Sequence, residues 1–124
     1  MPQLLAIAAG GALGALLRFW VSGAVYAWAG RAFPWGTLAV NLLGSLAMGL
    51  LFSLSVDRLS LGPVWRGGML VGFLGAFTTF STFSLETLNL LEQGRLGAAL
   101  ANVLTSVLLC VGAAWLGLVL GRTL

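Results

Sequence analysis

Residues 72–84 read GFLGAFTTFSTFS, an uncharged stretch in which hydroxyl side chains are interleaved with phenylalanine rings. The chain around it is 60% hydrophobic and only 7% charged, with a mean hydropathy of +1.06. Soluble domains carry about 25% charged residues, so these side chains cannot cover a surface that faces water. The composition therefore places the chain in a bilayer. It predicts an all-α membrane protein, because backbone polar groups in lipid must be bonded internally.

Four stretches are apolar enough to cross a bilayer as helices, each of which needs about 20 residues. We expect these helices at about 4–28, 36–56, 64–91 and 96–120, with both chain termini on one side of the membrane. The segments between them are short and contain glycine, proline and charged residues, which mark breaks between helices. Residues 1–124 are therefore expected to form a single transmembrane domain.

Arginine is distributed almost evenly between the two ends of the expected helices. Arg58, Arg66 and Arg122 belong to the side of the termini, and Arg31 and Arg95 belong to the other side. Basic residues near helix ends set the orientation of insertion, so this small difference gives little bias. Either the chain inserts with both termini in the cytoplasm, or it inserts in both orientations and pairs antiparallel. Four helices without an internal repeat enclose a pathway poorly, which favours a dimer.

Several function classes are excluded by what the chain lacks. It has no histidine and a single cysteine, Cys110, so neither a Cys/His catalytic pair nor a Cys/His metal site can be assembled. We expect Cys110 to be a buried, inert thiol. The six arginines are scattered rather than clustered, which argues against a nucleic-acid partner. Enzymatic activity has no support in the sequence.

Polar residues recur at helical spacing in the second and fourth helices. Thr37, Asn41 and Ser45 follow one another at i, i+4 and i+8, and Asn102 and Ser106 are four residues apart. Such residues lie on one face of a helix. They either form hydrogen bonds between helices or line a pathway through the membrane, and the spacing allows both interpretations.

The third helix carries more hydroxyls than bonding between helices requires. Gly72 and Gly75 precede the hydroxyl run, and they predict a break in the helix at about residues 75–79. Carbonyls freed by a break of this kind can coordinate a cation. Phe80 and Phe83 share a face, and their electropositive ring edges could contact a small anion in a narrow pore.

Two charged residues lie inside the expected spans. Arg18, in the first helix, either extends to the membrane interface or supplies positive charge to an aqueous vestibule. Glu86, in the third helix, is either a carboxylate in a water-filled mouth or a partner of Arg18.

Three motifs together with the four-span layout resemble one known family. GGALGALLRF (10–19), PWGTLAVNLLGS (34–45) and GFLGAFTTFSTFS (72–84) occur in this order along nearly the whole chain, which resembles the Fluc/CrcB family of fluoride ion channels. The resemblance implies an antiparallel, dual-topology homodimer of four-helix subunits, with the third helix broken near its centre. It implies two fluoride pathways per dimer and passive export of cytoplasmic fluoride for fluoride resistance. A multi-pass protein of a prokaryotic inner (plasma) membrane is expected.

The resemblance also implies roles for individual residues. Arg18 corresponds to the arginine of the vestibule, and the backbone carbonyls of Gly75 and Thr78 correspond to the ligands of a structural Na⁺ on the dimer axis. The residues expected along the fluoride pathway are Thr37, Asn41, Phe80, Ser81, Thr82, Phe83, Asn102 and Ser106.

Three other functions remain as alternatives. A small multidrug-type exporter also uses dimers of four helices, but it needs an acidic residue in the first helix, where this chain has Arg18. A proton-coupled fluoride antiporter would have to use Glu86 as its proton carrier. A non-transporting subunit of a larger complex would carry no flux by itself.

Overall fold

The fold is known from a computed structural model that describes the backbone of residues 1–124 and every side chain except that of Arg58. Four helices are long and apolar enough to span a membrane: α1 (Pro2–Ala29), α2 (Trp35–Asp57), α3 (Pro63–Glu92) and α4 (Leu96–Thr123). Each of them contains the stretch expected for it from the sequence. The described residues form no β-strand, so the predicted all-α architecture with four spans is confirmed.

The helices begin and end where the sequence supplies proline or glycine. Pro2 and Pro63 occupy the first turns of α1 and α3, where a missing N–H costs nothing. Gly30 follows α1 with φ of 84°, and Gly94 lies between α3 and α4 with φ of 74°. Glycine adopts this left-handed conformation without a steric penalty, so the chain can reverse between spans within a few residues.

Two helix pairs form most of the bundle: α2 packs along α4, and α1 packs along the first half of α3. Glycines bring the backbones together in both pairs. A Cβ atom added at Gly117 of α4 would overlap the carbonyl oxygen of Leu46 in α2, and one added at Gly14 of α1 would overlap that of Phe73 in α3. Small residues at such contacts allow the close packing that holds helices together in lipid.

The α3 span is not uniform along its length. Its π-helical segment Gly67–Leu74 is followed by the α-helical turn Gly75–Phe77. Thr78 and Thr79 then have extended backbone angles (φ −87°, ψ 160° and φ −151°, ψ 114°), and the helix resumes at Phe80–Glu92. The Thr79 hydroxyl accepts a hydrogen bond from the Thr82 N–H at 3.2 Å and so caps the resumed segment.

Large apolar side chains cover the outside of the bundle, as expected for a surface in contact with lipid. All five tryptophans are exposed: Trp20, Trp28, Trp35, Trp65 and Trp115. At the end of the bundle that carries the termini, Arg122 contacts Asp57 with 3.4 Å between Nε and Oδ2. Both side chains are exposed to a large extent, so this ion pair contributes little to stability.

Candidate functional site

Asn41 of α2 is bonded to the extended segment of α3. Its amide nitrogen donates to the Thr79 carbonyl at 3.1 Å, and its amide oxygen accepts from the Thr79 N–H at 2.7 Å. In a continuous helix the Thr79 N–H would donate to the Gly75 carbonyl four residues earlier. The Asn41 side chain therefore replaces helical bonding at this point and fixes the position of the extended segment.

A cavity of about 360 Å³ lies beside this contact and opens on the side of the bundle; we call it the central cavity. It brings together residues of α2, α3 and α4, among them Asn41, Ser45, Thr79, Phe80, Phe83 and Ser106. The rings of Phe80 and Phe83 are 5.4 Å apart between centroids. Phe83 is 8% exposed and Phe80 is 77% exposed, so Phe80 lies at the open side of the cavity.

Asn102 lies next to the central cavity but does not line it. Its side chain is buried and donates a hydrogen bond to the Thr87 hydroxyl at 2.9 Å, which joins α4 to α3. The Ser106 hydroxyl, which does line the cavity, is 3.4 Å from the Asn102 amide oxygen. Asn102 thus makes an interhelical bond, and it fixes the helix face from which Ser106 projects.

A second cavity, of about 370 Å³, lies on the other side of Thr79; we call it the inner cavity. The side chains that line it include Arg18, Tyr26, Thr37, Thr79, Thr82 and Glu86. The expected pathway residues that line a cavity are therefore divided between the two, with Thr37 and Thr82 in the inner one. Thr79, which is not among the expected pathway residues, lines both. Ser81 is exposed, and its hydroxyl is 3.4 Å from that of Thr79.

Three charged residues line the inner cavity, Arg18, Arg31 and Glu86, and the two that lie inside the expected spans have different partners. Arg18 donates from Nε to the Ala76 carbonyl at 3.0 Å, close to the extended segment. Glu86 accepts from the Tyr26 hydroxyl at 2.6 Å through Oε2, while its Oε1 is buried without a hydrogen-bond partner in the structure. Sequence reasoning missed Tyr26, because nothing in the sequence links a tyrosine to a carboxylate sixty positions away.

The position of Cys110 differs from the expectation. Its side chain is only half-buried and lines the central cavity together with Met48 and Ala114. The sequence suggested a buried thiol because its neighbours are apolar. However, the α4 face that carries Ser106 also carries the residue four positions later, and this face borders the cavity.

Of the two residues expected to hold Na⁺, Thr78 lies in the extended segment and Gly75 lies in the helical turn before it. No cluster of His, Cys, Asp or Glu that could bind a metal occurs among the residues that the structure describes, so a cation there would depend on carbonyl oxygens. The Gly75 carbonyl has lost its helical donor to Asn41, and Gly75 is exposed on the surface of the single chain. Carbonyls of this kind are suitable ligands for Na⁺.

Known proteins with similar sequences identify the family. A family profile described as CrcB-like protein, Camphor Resistance (CrcB), matches residues 5–118. A relative from Magnetococcus marinus is 63% identical over 120 residues, covering 97% of this chain and 98% of its own length. Relatives from Hydrogenovibrio crunogenus (52% over 120 residues, covering 97% of this chain and 91% of the relative) and Geobacter sulfurreducens (49% over 124 residues, covering 100% of both) are also similar.

All three relatives bear the name fluoride-specific ion channel FluC, which describes a channel and not an enzyme. The family matches along almost the whole chain, and the four spanning helices make it a multi-pass membrane protein. The chain therefore belongs to the CrcB family, as its sequence motifs indicate.

Proposed function

We propose that this protein is a passive, fluoride-selective channel that exports cytoplasmic fluoride across the inner membrane of a prokaryote and so confers fluoride resistance. The names of its relatives support the substrate. The observation that carries the proposal is the central cavity, where amide, hydroxyl and phenylalanine side chains of three helices meet beside the extended segment.

Fluoride is small and strongly hydrated, so a pathway must replace its water with other hydrogen-bond donors. Asn41 has a second amide hydrogen beyond the one that bonds Thr79, and the Ser106 hydroxyl can rotate towards an anion. The edges of Phe80 and Phe83 add weak positive potential without a full charge. An anion that leaves these groups passes Thr79, which borders both cavities, and then meets Thr82 and Thr37 in the inner cavity.

Arg18 and Arg31 give the inner cavity positive charge, and Arg18 is the one that lies within a spanning helix. An anion that approaches from water is concentrated by a cationic side chain in a cleft with low-dielectric walls. The Arg18 bond to the Ala76 carbonyl holds the guanidinium within the cavity wall. Arg18 thus attracts fluoride while the neutral donors carry it further.

The open side of the central cavity supports a dimer. Phe80 is exposed there in the single chain, and a second subunit would cover it and complete the pathway wall. Two antiparallel copies related by a two-fold axis would contain two equivalent pathways. The near-even distribution of arginine is consistent with insertion in both orientations.

A structural Na⁺ at the dimer axis would be held by the Gly75 and Thr78 carbonyls of each subunit. The ion would neutralise carbonyl dipoles that point towards one another. Replacing Na⁺ with N-methyl-D-glucamine on both sides should therefore weaken the dimer or lower fluoride flux. Sizing the purified protein and measuring its flux in the two cations checks this; equal dimer content and equal flux would exclude a structural Na⁺.

The function is tested with purified protein in liposomes loaded with potassium fluoride. Efflux is started with a K⁺ ionophore and followed with a fluoride electrode, with chloride-loaded liposomes as the comparison. The channel proposal expects fast fluoride efflux that needs the ionophore but no pH gradient. It also expects chloride efflux near the rate of protein-free liposomes.

The other outcomes identify the competing functions. Efflux that needs a pH gradient and is abolished by Glu86→Gln would indicate an antiporter, whereas a channel with this substitution still conducts, at the original or a lower rate. No fluoride flux from correctly folded protein would leave a non-transporting subunit or a transporter of another substrate.

A further inference from the structure

Tyr26 and Glu86 lie between two cavities. One is the inner cavity, and the other, of about 170 Å³, is lined by the loop residues Arg31, Pro34 and Arg95 among others; we call it the loop cavity. Tyr26 and Glu86 line both. The hydrogen bond between them therefore forms part of the wall that separates the loop end of the bundle from the inner cavity.

The Tyr26 hydroxyl makes three hydrogen bonds, to two residues. It donates its single hydrogen to Glu86 Oε2, because a carboxylate is the stronger acceptor at 2.6 Å. Its oxygen then accepts from the Thr37 hydroxyl at 3.3 Å and from the Thr37 N–H at 3.4 Å. Thr37 lies in the first turn of α2, where N–H groups lack helical partners and the helix dipole is positive. The amino terminus of α2 thus stabilises the carboxylate through Tyr26.

Arg31 fixes the other side of the phenol. Its guanidinium carbon lies 4.5 Å from the centroid of the Tyr26 ring, a cation–π contact that orients the ring. The connection between α1 and α2, which carries Arg31, is in turn bonded to the connection between α3 and α4, because Arg95 donates to the Ala32 carbonyl. Both contacts keep Tyr26 in place at the loop end.

Glu86 has no comparable support apart from Tyr26. Its Oε1 is buried without a partner, and Arg18 and Arg31 line the same cavity. If the Tyr26 bond were lost, the carboxylate would be attracted towards these two guanidinium groups. It would then neutralise the charge that attracts anions and place negative charge in the inner cavity.

We propose that Tyr26 is a positioning residue that keeps the Glu86 carboxylate in the wall between the two cavities and thereby leaves the inner cavity open to anions. This inference rests on the proposed channel function. It adds to that function a residue that does not line the central cavity and that acts through another side chain.

The test is a double-mutant cycle in the liposome efflux assay. Tyr26→Phe keeps the ring over which Arg31 lies and removes only the hydroxyl, and it should lower fluoride efflux about tenfold, as expected for the loss of a hydrogen bond to a charged group. The same substitution in a Glu86→Gln background should cost little further flux, because no carboxylate remains to be released. A purely structural role for Tyr26 predicts the same loss in both backgrounds.

A second variant covers the case in which Tyr26→Phe does not fold. Glu86→Asp retains the charge but shortens the side chain by one methylene, so the carboxylate no longer reaches the intact Tyr26. It should slow efflux about tenfold by itself, and where Tyr26→Phe does fold, combining the two substitutions should not slow efflux further. Fluoride efflux at the wild-type rate in either Glu86→Asp or Tyr26→Phe would overturn the proposal. It would also be overturned if Tyr26→Phe lowered efflux by the same factor in the wild-type and in the Glu86→Gln background. Absence of flux in the unmodified protein would instead overturn the channel function.

Discussion

Asn41 bonds both the carbonyl and the N–H of Thr79, so its amide nitrogen and amide oxygen have different hydrogen-bonding roles. The amide oxygen needs only to accept, whereas the amide nitrogen must donate to a carbonyl. Aspartate can do the first but not the second. This asymmetry is why the nearly isosteric change from asparagine to aspartate is a demanding test of the site.

We predict that Asn41→Asp abolishes fluoride efflux. It brings a carboxylate oxygen against the Thr79 carbonyl and puts negative charge into the central cavity, at a cost of about 1–3 kcal/mol for the unpaired acceptor. Efflux from liposomes and the melting temperature in detergent measure the two effects. The control is Gln3→Glu, which also replaces an amide with a carboxylate but does so at an exposed side chain near the start of α1. Normal conduction by Asn41→Asp would mean that Asn41 faces away from the anion path.

Substitutions of Phe80 and Phe83 should have the same effect on fluoride efflux but different effects on the stability of the subunit. Phe80→Ile and Phe83→Ile each remove a ring edge, so both should lower fluoride efflux while the dimer persists. Only Phe83 is buried within the subunit, so only its substitution should also lower the stability of the subunit, by about 1 kcal/mol or more. Phe52→Ile, at a half-exposed ring away from both cavities, is the control. Unchanged efflux in both pore variants would reject their assignment to the pathway.

At the level of elements, hydropathy predicts the four helices because lipid imposes length and composition on each of them separately. Hydropathy does not predict the contacts between helices. The pairing of Asn41 with Thr79, and of Tyr26 with Glu86, depends on how each helix is rotated about its axis, which the local pattern does not determine. Six of the eight pathway residues expected from the sequence line one of the two cavities, but neither the division into two cavities nor the contact of Tyr26 with Glu86 could be predicted.

The packing of α2 against α4 gives a prediction with a control in the same helix. Gly117→Ala places a methyl group against the Leu46 backbone, whereas Gly112→Ala meets no atom within 4 Å in the subunit. Overpacking costs about 1–3 kcal/mol, so Gly117→Ala should lower the melting temperature and the yield of folded protein. Gly112→Ala should behave like the original chain. Equal stability of the two variants would show that α2 and α4 can separate without cost.

For the molecule as a whole, the even distribution of arginine predicts a test of orientation. With Cys110 replaced by serine, a cysteine is introduced at either Thr123 or Ala32, which lie at opposite ends of the bundle. Insertion in both orientations predicts that an impermeant maleimide added to intact cells labels about half of the chains in each variant. A single orientation predicts complete labelling of one variant and none of the other.

The surface position of all five tryptophans has a consequence for how the protein can be observed. Its intrinsic emission comes from rings on the outer surface of the subunit, where lipid or detergent can reach them, rather than from rings packed inside the bundle. Brominated acyl chains should therefore quench most of this emission in the native state. A shift in the emission maximum would report a change of solvent around the protein, so thermal unfolding has to be followed by another signal, such as helical circular dichroism.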